Sequence, residues 1–93
     1  MISYWKNPEE IYKDGGLVLI IGHYDHKNQH DEGKKALGIH WETYPQSHGI
    51  LSPCVIPETT RDAILSGLLH KAVANKNEKQ MQTLLKGIAF FNE

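Results

Sequence analysis

Gly15-Gly16-Leu17-Val18-Leu19-Ile20-Ile21-Gly22 is the stretch on which the fold turns. Five apolar residues in a row, bounded by glycines, are too few for a buried helix and show no polar alternation, so the run reads as a strand covered on both faces and central in its sheet. Downstream, Ala36-Leu37-Gly38-Ile39-His40-Trp41-Glu42 alternates. Leu37, Ile39 and Trp41 share one face while Gly38, His40 and Glu42 share the other, the pattern of a half-buried strand. The segment between the two runs is polar and punctuated by glycine, so an antiparallel hairpin is the economical connection. Ile50 to Ile56 reads as a third strand. Pro53 within it has no N–H to give to a ladder, which puts the strand at an edge or on a bulge.

Upstream of the apolar run, Asn7-Pro8-Glu9-Glu10 has the marks of a helix start: a capping side chain, a proline where no donor is needed, and two carboxylates near the positive end of the dipole. A short helix over 8–14, stopped by Gly15-Gly16 and turning Ile11 inward, is expected. From Pro57 the apolar period changes to that of a helix. Ile64, Leu65, Leu68, Leu69, Ala72 and Val73 form the stripe, and Thr59 with Asp62 resembles a capping box, so the helix should begin between 57 and 60. Asn75-Lys76-Asn77 interrupts the stripe, and Asn77 with Gln80 offers a new cap for a helix carrying Met81, Leu84, Leu85, Ile88 and Phe91. The expectation is a single α+β domain over 1–93. It has a small antiparallel three-stranded sheet, a short N-terminal helix, and a C-terminal helical hairpin packed mainly on one face.

A chain of 93 residues has room for one core. Its net charge of −1 lacks the basic face of a nucleic-acid binder. No apolar stretch is long enough to span a bilayer, and the N-terminus has neither the basic start nor the apolar segment of a signal peptide, so no membrane partner is expected. The lone Cys54 makes no internal disulfide, and a reducing, cytoplasmic compartment is the expectation. Among apolar neighbours, Cys54 reads as a small hydrophobe in the core.

Chemistry is concentrated in the cluster at 23–32, Gly22-His23-Tyr24-Asp25-His26 and the residues after it through Glu32. Imidazoles and carboxylates at short spacing suit zinc, and a hairpin register would bring His40 towards His23, so His23, Asp25, His26 and His40 form a candidate metal or small-molecule site, with hydrolysis as its conceivable chemistry. The competing reading is a solvated polar loop, with no cofactor and no catalytic residue. Ile20-Ile21-Gly22-His23-Tyr24-Asp25-His26 resembles the metal-binding motif of the metallo-β-lactamase superfamily. His23, Asp25 and His26 match, but Ile21 stands where the first histidine belongs, and the length leaves no room for that family's sandwich and further ligands, so membership is rejected.

The C-terminal aromatics point elsewhere. Phe90 and Phe91 are adjacent on a helix and about 100° apart, so burying one against the sheet should turn the other towards a partner. A non-enzymatic binding or regulatory module acting through protein contacts, a homodimer with Phe90 or Phe91 at the interface, is the leading expectation. The histidine cluster with zinc is the alternative.

Overall fold

The computed structural model describes residues 4–25 and 33–93. Among them the chain runs β1 (Trp5–Asp14), β2 (Leu17–Tyr24), β3 (Lys34–His40), β4 (Gln46–Ser47), β5 (Ile50–Leu51), β6 (Cys54–Ile56), α1 (Glu58–Ala74) and α2 (Glu78–Phe91). The main sheet is antiparallel with the order β1-β2-β3-β6, and β4 and β5 form a small separate hairpin. The class is α+β as expected, with four strands in the sheet rather than three.

The expected N-terminal helix is replaced by β1. Gly15 and Gly16 sit at φ +57° and +92°. Those angles belong to the two-residue turn that matches the twist of paired strands, so the glycines close a hairpin instead of ending a helix. Pro8 falls where the register with β2 slips between Lys6 and Glu9, and Asn7 has φ +53°. At a bulge in an edge strand the missing proline N–H costs no ladder bond.

The run Leu17 to Ile21 is central and covered on both faces. Leu19 and Ile21 join Ile11, Leu37, Leu65, Ala72 and Leu84 on the helix side, while Val18 and Ile20 join Trp5 and Ala36 on the other. The second layer needs no helix because Trp5 covers it. A Cβ on Gly38 would lie 2.6 Å from the Trp5 ring. The indole therefore rests directly on the β3 backbone, which only glycine permits. Its Nε1 donates to the Pro53 carbonyl at 3.3 Å, joining the first strand to the segment that leads into the last.

The expected third strand is divided. Ile50–Leu51 pairs with Gln46–Ser47, and only Cys54–Ile56 joins the sheet, at its edge, just after Pro53. Cys54 is exposed rather than in the core; on this short edge strand only Ile56 packs against the helix-side cluster. β3 ends at His40, two residues before the alternation does. The Trp41 N–H bonds to the Tyr44 carbonyl at 2.7 Å in a turn, and Trp41 is left 44% exposed instead of inward.

The break between the helices falls at 75–77. Lys76 has φ +56°, and the N–H groups of Lys76 and Asn77 return to the carbonyls of Val73 and Ala72 at 3.0 and 2.9 Å. This is the paired bonding of a Schellman stop, here with lysine where glycine is usual. Asn77 Oδ1 then accepts the Gln80 N–H at 3.1 Å and caps α2. The expected Thr59 cap does not form: α1 starts at Glu58 behind Pro57 and has no side-chain cap.

Candidate docking groove

The residues expected to form a metal site are set apart. His23 pairs with Lys35 and His40 with Val18, five positions apart along β2. An odd separation along a strand puts the two on opposite faces. Each described member also has an intramolecular contact of its own. His23 meets the Phe90 ring edge-on at 5.5 Å. Asp25, 5% exposed, lies 3.7 Å from Lys6 Nζ. His40, 8% exposed, holds the Trp41 carbonyl at 2.7 Å through Nδ1, which must therefore carry the proton. His26 lies outside the described residues. Among the described residues, no group of three metal-ligating side chains assembles.

Phe90 and Phe91 both find partners within the chain. α2 lies in the angle between the sheet and α1, so adjacent residues reach different neighbours. Phe90 packs by His23 and under Lys35, whose Nζ also donates to the Phe90 carbonyl at 2.8 Å. Phe91 lies beneath the Arg61 guanidinium at 4.0 Å, and the two rings meet edge-on at 5.0 Å. Both are half-buried against the helix-side core, so neither turns away as the 100° argument required.

What the helices leave open is elsewhere. Leu65 and Ala72 of α1 are fully buried, but Ile64 and Leu68 are only half-covered. They form one wall of a groove of about 400 Å³, with Ala63 and Gly67 beside them and Tyr12, Leu17, Leu19 and Ile39 of the sheet opposite. Among the described residues this lining has no charged member, and Tyr12 is its one polar side chain. The phenol donates to Asp14 Oδ2 at 3.5 Å. Its pKa is raised above the ordinary tyrosine value, first by burial and then by the Asp14 charge and hydrogen bond. A second depression, of about 370 Å³ between β1 and α2, differs in chemistry: Glu10, Lys13 and Lys79 line it.

Gly67 gives the groove its meaning. A glycine inside a helix costs about 1 kcal/mol relative to alanine. Gly87 of α2 has an internal reason, since a Cβ there would lie 2.8 Å from Ile11 Cδ1. At Gly67 a Cβ would meet nothing within 4 Å. Its lack of a side chain serves no packing inside the chain, and it widens the groove where α1 is exposed.

The sequence reading missed this site because α1 was treated as having one buried stripe. The available signal was the pair Ala63 and Gly67, small residues one turn apart beside Ile64 and Leu68. Compared with family models, curated proteins and solved structures, the chain matches none. No helix among the described residues is long and apolar enough to cross a membrane.

Proposed function

We propose that the chain is a small non-enzymatic binding module that acts through protein contacts and associates as a homodimer, with the groove between α1 and the sheet as its contact surface. The observation that carries this is the uncharged groove of about 400 Å³ walled by Leu17, Leu19, Ile39, Ile64 and Leu68. Apolar surface gains free energy on leaving water, about 25 cal/mol per Å², and an uncharged wall adds no desolvation cost against it. A site for a polar metabolite is built differently, with several polar groups converging on the ligand to orient it. Here the one polar group is a phenol that already serves Asp14. Protein side chains that are themselves apolar fit such a wall better.

Sedimentation of the untagged protein across a wide concentration range tests the reading. The expected result is a mass that rises to twice the chain mass. A single-chain mass at every concentration contradicts it.

A further inference from the structure

Resting on that dimer reading, we propose that the occupant of the groove is the Trp41–Tyr44 turn of a second copy, exchanged reciprocally across a two-fold axis. Among the described residues, the same chain carries an open apolar groove and an exposed aromatic pair. Trp41 and Tyr44 are 44% and 67% exposed, and their rings lie 6.3 Å apart in a tilted pair. The Trp41 N–H to Tyr44 carbonyl bond of 2.7 Å holds the turn in shape before any partner arrives, which lowers the ordering cost of docking.

Position makes the exchange workable. Trp41 stands two residues beyond Ile39, which is a wall of the groove. A knob that leaves the chain two residues after a groove residue suits a two-fold interface, because each copy can offer its knob to the other's hole in the same contact. A buried ring covers ~150–250 Å², and Trp41 and Tyr44 keep 44% and 67% of their surface to bury, so two of each give several hundred Å² and, with the walls they meet, an interface of the small, weak class, below about 1,200 Å². Tryptophan and tyrosine are also the residues that most often dominate such contacts. Its indole N–H would not go unmet. The Tyr12 oxygen at the groove wall donates its proton to Asp14 and keeps lone pairs to accept another. Gly67, inexplicable within one chain, then has its reason: a side chain there would occupy the space of the incoming ring.

Two variants and their mixture test this. Trp41→Ser removes the knob and leaves the groove; Gly67→Leu fills the groove and leaves the knob. Both positions are exposed, and thermal melts of the separate variants at low concentration check that each remains folded, with Gly67→Ala as a smaller substitution should leucine disturb the helix. Each variant alone should dimerise at least about 30-fold more weakly than the unmodified chain, the loss of a dominant contact. An equimolar mixture should recover dimer, because the heterodimer keeps one intact contact, Trp41 of one copy in the open groove of the other. If the mixture stays as monomeric as its components, the reciprocal exchange is wrong. If the unmodified chain is a dimer that neither variant weakens, dimerisation stands and the assignment of the groove falls. If the unmodified chain is a monomer throughout, both fall. In that case, anilinonaphthalenesulfonate fluorescence that Gly67→Leu abolishes would give the groove to a small apolar ligand instead.

Discussion

Gly38 and Gly67 look alike in the sequence and do opposite things in the fold. Gly38 sits under the Trp5 ring, where a Cβ would be 2.6 Å from ring carbon. Gly38→Ala should destabilise the chain by about 1–3 kcal/mol, the cost of forcing a packed ring to move. Gly67→Ala should stabilise the isolated chain by about 1 kcal/mol through helix propensity alone. Urea unfolding of the two variants at concentrations that keep the chain monomeric would show the opposite signs; a loss at Gly67 would mean that the position is packed after all. Tyr12 carries a pH dependence of known sign. Its folded pKa is above the ordinary value of 10.0, so its contribution is complete below about pH 10 and falls as pH rises through the folded value. Asp14→Asn should lower the pH at which the Tyr12 phenolate appears in an absorbance titration, because the Asp14 charge, one of the three causes, is removed while an amide oxygen can still accept the hydrogen bond; an unchanged titration would leave burial and the hydrogen bond as the causes. Of this, only the small pair Ala63 and Gly67 was legible in advance. Trp41, Cys54 and Gly67 were misjudged or passed over because residue exposure depends on where a strand stops and a helix leans, and periodicity does not encode either.

Periodicity did locate most of the elements. The apolar run at 17–21, the alternation at 36–42 and the helical stripe after Pro57 were each carried by several residues acting together, and all three elements are present, the second ending two residues early at His40. The break at Asn75 to Asn77 was readable because capping residues and a lapse in the stripe coincide. β1 was misread because two signals competed. Asn-Pro-Glu-Glu favours a helix start, and only pairing with β2 makes it a strand. Gly15-Gly16 was ambiguous by itself, since two glycines suit a helix stop and a hairpin turn equally. In the helix connection, Lys76 occupies a left-handed position in which a side chain costs about 1 kcal/mol or more. Lys76→Gly should therefore raise the melting temperature, provided that the relief exceeds the added freedom of the unfolded chain. A lower melting temperature would mean that the lysine side chain holds a contact that outweighs the strain.

Across the whole molecule, two unequal layers sandwich one sheet. The helical layer is anchored by Leu37, Leu65 and Leu84, all essentially inaccessible to solvent, and Leu84→Ala should cost about 2–5 kcal/mol in a chemical denaturation experiment. A loss under about 1 kcal/mol would show that this layer is loose rather than packed. The other layer is thin and centred on the Trp5 indole, with Tyr24 against it. α1 packs chiefly on α2, and the groove is the space left open between α1 and the sheet. The sequence announced an excess of apolar and aromatic surface, which pointed to association, but it attached that excess to Phe90 and Phe91. Lys35 and Arg61 cover those rings from distant parts of the chain, a contact that no local pattern reveals.

Isotope-filtered nuclear Overhauser spectroscopy on a mixture of labelled and unlabelled chains reads the dimer contact directly, since only transfer between copies survives the filter. The expected result is transfer from the methyl groups of Leu17, Ile39, Ile64 and Leu68 in one copy to the Trp41 ring of the other. A dimeric sample in which those methyl groups show no transfer to Trp41 of the second copy would contradict it.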